Sequence, residues 1–413
     1  LDIISNSKMK ERTITILRHV AQGSIKTVVG CWLLCIVAAA CTDENKNKPN
    51  SDEEDTIPKP VFVDITFNSS TATVNIPATA IGVSCSSGNS TNVVLALDSA
   101  IWTEYIYRVS GATTSGSLTI NSNYKLTLLL NGVDLTSTTT SPPLHINCGK
   151  RISMILQEGT TNTFTDNATN EKKGAVYTKG HLEIEGGGTL NISSKARHAL
   201  CAKEYLQLKK TTGTINILES AGDGIHCGEG DGNPENNYFK MGGGTLNFNS
   251  VAGDLIDCDD YGNAFINGGT LNLTVDAIGG KGLKADSLLY VTGGSINLDL
   301  TGTSAIGLQS NYKAFLSGGT ISGTVSCYDG IGIRANNSKS SVTVLNGGYL
   351  YLNGSDIDLK LTGSSCYGIN VEADMEATAG NINLQGLAAN APGYKVKGTA
   401  SGESYIKWTE TGE

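Results

Sequence analysis

The sequence predicts an all-β chain wound as a right-handed, single-stranded parallel β-helix, with about 25 residues and three strands per coil. Three observations predict it. One phrase recurs along the chain: GGGTLNIS (186–193), TGTINIL (212–218), GGGTLNFN (242–249), GGTLNLTV (268–275), GGSINLDL (293–300), GGTISGTV (318–325), GGYLYLNG (347–354) and AGNINLQG (379–386). Its spacing is nearly constant: Thr189 to Thr214 is 25 residues, Thr214 to Thr245 is 31, and the steps on to Thr270, Ser295 and Thr320 are 25 each. The composition agrees, with 50 glycines among 413 residues, only 6% aromatics and mostly small or β-branched apolar residues, which suits many short strands. Repeats of this length build solenoids, propellers or arrays; a four-stranded propeller blade needs about 40 residues, and no LxxLxL frame or helix is present.

The N-terminal segment reads as an address. Lys8, Lys10, Arg12, Arg18 and Lys26 precede the apolar run VVGCWLLCIVAAAC, which is too short to span a bilayer. Ala38, Ala39 and Ala40 place small residues before Cys41, so residues 1–41 are expected to be a lipoprotein signal peptide ending at a lipidated Cys41; an ordinary signal peptide or a short anchor that happens to contain cysteine is the plainer alternative. Residues 42–60, rich in acids and proline, cannot bury enough surface to order themselves and are expected to form a tether. This makes the chain an exported protein, lipid-anchored at the outer membrane or cell surface, touching membrane through the anchor only. Residues 61–115 are expected to form a β-rich N-terminal cap, 116–386 the helix proper, and 387–413, with Trp408, a C-terminal cap, because open solenoid ends expose unpaired strand edges.

Within each coil the register is readable. Leu246 and Phe248, Leu271 and Leu273, and Ile296 and Leu298 alternate with Asn247, Asn272 and Asn297, so the apolar pairs point inward and the amides outward. A second strand carries Ile225 and Cys227, Ile256 and Cys258, Leu283 and Ala285, Ile306 and Leu308, and Ile331 and Ile333. A third ends at Ile266, Val291 and Leu316, just before glycines that allow a corner where a Cβ would strain. The formal charge of −9, with no basic cluster evident, makes nucleic acid an unsuitable partner. Seven dispersed cysteines follow Cys41 and form neither a disulfide framework nor a CxxC zinc pair.

The stretches LTLLLNGVDLTS, ISMILQEGTTNTFTD, GAVYTKGHLEIEGGGTLNI and GDGIHC resemble a family of exported bacterial β-helix proteins, the carbohydrate-binding domain proteins, over roughly residues 64–386. The resemblance implies binding of cellulose and pectin-type acidic sugars, association with calcium, and a remote likeness to polysaccharide lyases. The chain departs from a regular aspartate run: DGI stands at Asp223 and Asp329, but DLI at Asp254 and KGL at Lys281.

Three features could carry chemistry. Asp223, Glu229 and Asp231 lie on one coil, and Asp254, Asp257 and Asp259 on the next, with Asp223 expected over Asp254. Carboxylates brought about 5 Å apart repel unless protonated or bridged by a cation, and calcium accepts six to eight oxygens in irregular geometry; a solvated acidic loop is the plainer alternative. Phe239, Phe265, Tyr290 and Phe315 each stand three residues before a glycine pair and are candidates for an exposed ladder that stacks on pyranose rings; inward packing is the alternative. The outward amides Asn191, Asn216, Asn247, Asn272, Asn297 and Asn383 either hydrogen-bond an extended glycan or ladder among themselves. A monomeric, non-catalytic surface module that binds polysaccharide with calcium is the reading these features favour. A calcium-dependent lyase using Lys281 or Lys284 as base is the alternative, and an adhesive stalk the third. A lysine among acids has its pKa raised, which argues against the base.

Overall fold

The computed structural model describes residues 60–228, 235–337, 347–386 and 392–410. The expected signal peptide with Cys41, the tether up to residue 59, and the metal-ligand candidates Glu229 and Asp231 lie outside the described residues.

The chain is an all-β, right-handed parallel solenoid with turns of about 25 residues. Among the described residues its strands form a long sheet of 21 strands and a short sheet of 13. The repeated phrase supplies the long sheet, where Leu190, Ile215, Leu246, Leu271, Ile296, Ile321, Ile357 and Ile382 stack one above another in parallel register. All eight are buried, and each side chain withdrawn from water contributes about 1.5–3 kcal/mol. The second strand of each coil supplies the short sheet, with Ile225, Ile256, Leu283, Leu308 and Ile333 facing the same core.

The three-strand expectation is modified in the most regular coils. Asn263–Val275, Leu288–Leu300 and Lys313–Val325 each run continuously through the glycine pair, so the expected third strand and the next first strand are one bent strand. The register slips at the bend, and Gly269, Gly294 and Gly319 adopt φ of +84°, +87° and +75°. A Cβ on Gly269 would lie 2.7 Å from the Gly244 carbonyl oxygen of the neighbouring coil, so only glycine turns the corner without parting the coils.

Both ends are closed. Thr71–Asn75 folds back antiparallel on Phe62–Asn68, whose other side pairs in parallel with Ile106–Thr113. At the far end Ile406–Glu410 pairs with Ile382–Gly386, and the Trp408 indole fills the space that a side chain on Gly386 or Gly393 would need. Six of the seven described cysteines are buried and all seven are free thiols. Truncating the aliphatic row in mid-solenoid, as in Leu271→Ala, is expected to cost about 2–5 kcal/mol, measured by chemical denaturation against the wild-type chain.

Candidate functional site

Two outward rows of the long sheet satisfy themselves. Asn216 Nδ2 donates to Asn191 Oδ1 at 2.8 Å, and the same amide bond repeats from Asn247 to Asn216 (2.8 Å), Asn272 to Asn247 (2.6 Å) and Asn297 to Asn272 (2.7 Å). Asn383 donates to Asp358 at 3.0 Å. These amides face solvent with their bonding already used along the solenoid axis.

The aromatic row does likewise. Phe265, Tyr290 and Phe315 are in register, joined by Tyr351, with ring centroids 5.5, 4.8 and 4.8 Å apart and planes within 4–7°. Each inner ring therefore has both faces covered by its neighbours and shows solvent only an edge. A pyranose stacks on a ring face, and this row offers none between its ends. Phe239 does not belong to it. It is 0% exposed, pairs with Leu206 and Ala264, and points into the core. The third glycine of GGGTLNFN places Phe239 six residues before Thr245, whereas Phe265 stands five before Thr270; that single step flips the side chain to the opposite face. The position matching Phe265 is Lys240. The row extends instead through Tyr238, which meets Phe265 edge-on at 5.9 Å and stacks on Tyr205 at 4.6 Å. Tyr351 was hidden from the spacing because 36 residues, not 25, separate it from Phe315.

The short sheet carries the acids. Ile225–Cys227, Ile256–Cys258 and Lys281–Ala285 are successive parallel neighbours that place His226, Asp257 and Lys284 in one row. Beside it runs a second row of His198, Asp223, Asp254 and Lys281, each linked to the next by a backbone donor. The Asp223 N–H reaches His198 Nδ1 at 3.0 Å, the Asp254 N–H reaches Asp223 Oδ1 at 2.9 Å, and the Lys281 N–H reaches Asp254 Oδ1 at 2.9 Å. Asp223 thus lies over Asp254, as the coil spacing predicts.

Each acid here is answered. Burial pushes the Asp223 carboxyl up, but hydrogen bonds with His198 and His226 outweigh it and hold the group well below the usual carboxylate range. Lys281 Nζ lies 3.1 Å from Asp254, yet burial still raises that carboxyl. Burial brings Asp257 to about 6, only partly offset by Lys284 Nζ at 3.0 Å. Burial alone would lower Lys284; Asp257 and Asp286, whose oxygens lie 3.0 and 3.3 Å away, raise it instead. Asp259, more exposed, stands 3.9 Å from the same ammonium.

Among the described residues two sets of side chains bring possible ligand atoms within 4.8 Å of one another: His198, Asp223 and His226, and Asp223, Asp254 and Asp257. In the first set the imidazoles are stacked at 4.4 Å with planes 17° apart. A metal sits in the plane of an imidazole that binds it, so one ion cannot serve both rings in this arrangement. The second set is all oxygen and suits a hard cation. Asp223 anchors both sets, and Asp223→Ala is expected to destabilise the chain by about 3 kcal/mol by leaving buried donors unpaired. Asp259→Ala is expected to stay within about 0.5 kcal/mol of wild type. Thermal melts of the two variants check this contrast.

A family model described as carbohydrate-binding domain-containing protein matches residues 98–327. A relative of the same description from Acetivibrio thermocellus is 24% identical over 122 residues, covering 27% of this chain and 42% of the relative, so the match spans less than half of that protein. A solved structure of a polysaccharide lyase-like protein from C. thermocellum aligns over 86% of this chain and 100% of its own, at 14% identity and a TM-score of 0.34. With its parallel coils and more than half its length matched, the chain belongs to the carbohydrate-binding domain-containing protein family.

Proposed function

We propose that this chain is a non-catalytic module that binds polysaccharide, of acidic pectin type or cellulose-like, on the outward face of its short sheet, assisted by calcium. The observation that carries this reading is the contrast between faces. The amide and aromatic rows of the long sheet are closed off by uncharged neighbours of their own kind, whereas the short sheet carries carboxylate and ammonium groups on successive coils, whose ion pairs can be exchanged for a cation or a charged sugar. Family membership makes a glycan the natural occupant.

Asp223, Asp254 and Asp257 would hold the calcium, supplying three of the six to eight oxygens it takes, with Asp259 next to them. Water and the glycan's own oxygens would supply the rest. The ion competes there with Lys281 and Lys284, so its affinity belongs in the weak range of extracellular calcium modules, about 10⁻⁴–10⁻³ M. For an eliminating enzyme the same cluster is poorly built. Proton abstraction needs a base matched to the working pH, and Lys284 is held protonated by the carboxylates around it. Export and lipid anchoring through Cys41 complete the proposal and place the module at the outer membrane or cell surface, as a monomer.

Co-sedimentation with cellulose and polygalacturonate, with and without a chelator, tests the reading while ultraviolet absorbance follows unsaturated uronates. Binding to at least one glycan, weakened about tenfold by chelation and without absorbance growth, is the expected result. Absorbance growth lost in Asp254→Ala would make the protein a lyase, and wild-type chain that binds neither glycan would leave it a stalk.

A further inference from the structure

The short sheet has a second polar region, on the coils that precede the acids, that no feature of the repeat announces. Two cavities of about 410 and 250 Å³ share Asn147 and Lys179 and so form one groove. Lys150 and Lys179 line the first; Lys172, Lys179, Lys203, His145 and Tyr177 line the second. Lys179 and Lys203 occupy matching places on adjacent coils, immediately after the paired strands Gly174–Thr178 and His198–Ala202. The ladder spacing brings their backbones within about 5 Å, so two like charges crowd one wall. Among the described residues none of these four lysines has an ion-pair partner, while Lys125, Lys209, Lys281, Lys284 and Lys397 all do. In a chain of formal charge −9, four uncompensated ammonium groups around one concavity form a local anion trap.

The floor and rim of the groove add chemistry that a bare phosphate site lacks. The His145 and Tyr177 rings lie 5.3 Å apart, tilted by 39°. Burial first, and Lys172 second, bring His145 down to about 4, so it is a neutral hydrogen-bonding group at physiological pH. Asn147 Nδ2 donates to Asn121 Oδ1 at 3.0 Å on the neighbouring coil, which orients the pair of amides that lines the groove. At one end Asn123 Nδ2 donates to the Ser99 carbonyl at 2.8 Å, and both residues line the cavity. Next in sequence, Tyr124 supports Trp102 edge-on at 5.8 Å, and that indole is 69% exposed. Unlike the stacked rings of the long sheet, it leaves surface free for a sugar.

We infer that this groove, from Ser99 to Lys203 with Trp102 three residues beyond Ser99 in the chain, is a metal-independent subsite for a carboxylated polysaccharide. Lys150, Lys172, Lys179 and Lys203 hold uronate carboxylates, and Trp102 packs on a sugar ring at the rim. The inference rests on the glycan-binding reading above and adds a separate place and mode of recognition to it. A nucleic acid is the other polyanion such lysines attract. Family membership favours the glycan over it, and the DNA probe below tests the alternative.

The test uses the full chain in chelator-containing buffer, so that calcium plays no part, with oligogalacturonate, cello-oligosaccharide and a single-stranded DNA oligonucleotide as probes in calorimetry. The wild type is expected to bind oligogalacturonate, more weakly as salt rises. Lys179→Glu with Lys203→Glu is expected to lose at least about tenfold in that affinity, with cello-oligosaccharide binding unchanged. Lys150→Glu with Lys172→Glu is expected to reproduce the loss, and matching thermal melts exclude misfolding. Wild-type affinity for oligogalacturonate in both double variants would overturn the inference, as would DNA binding as tight as the uronate. Wild type that binds the neutral glycan but not oligogalacturonate would overturn the groove and leave the glycan-binding reading standing. Failure to bind either glycan, with or without calcium, would remove both.

Discussion

Parallel ladder hydrogen bonds set every residue of this solenoid about 4.8 Å below its counterpart on the next coil, and the rest of the structure follows from that enforced stacking. A row is stable only if its members tolerate one another. Aliphatic side chains do, and form the core row from Leu190 to Ile382. Asparagines do, because each amide has both a donor and an acceptor to pass along. Aromatic rings do so face to face. Like charges do not, and the rows through Asp223 and Asp257 show the remedy: histidine on one side and lysine on the other flank the acids, so the stacked carboxylates are answered from both ends. Lys179 over Lys203 is a like-charge step that has no ion-pair partner among the described residues.

This constraint separates structural polarity from functional polarity. The long sheet has the more conspicuous surface, a strip of amides beside a strip of rings, but each strip is consumed by its own ladder. Repetition and availability for a ligand are therefore opposed here, since a group that repeats perfectly along the axis finds its partner in the next coil. Groups that break the repeat are the ones left for a partner molecule.

That opposition also explains what the sequence could and could not convey. Coil length, core rows, amide ladder and the stacking of Asp223 over Asp254 follow from a period of 25 residues and alternation by two, so they were legible. Phe239 faces the core because an added glycine at 242–244 shifts the parity that decides which face a side chain takes, so a glycine pair does not mark the phase there. The merging of two expected strands was hidden because glycine at positive φ bends a ladder without ending it. The lysine groove went unseen for a different reason. Lys150, Lys172, Lys179 and Lys203 are scattered in sequence, three of them before the phrase first occurs, and only the coiling gathers them. Trp102 precedes all four and carries no periodic signal at all.

Hydroxyl-radical footprinting with mass spectrometry, on the chain with and without bound polygalacturonate, tests most directly which face meets the glycan. Aromatic reporters stand in both regions: His145 and Tyr177 along the short sheet with Trp102 in the connection that leaves it, and Tyr290, Phe315 and Tyr351 along the long one. Protection of the first group with the second unchanged is the predicted result. Protection confined to Tyr290, Phe315 and Tyr351 would contradict it and return the binding face to the aromatic ladder.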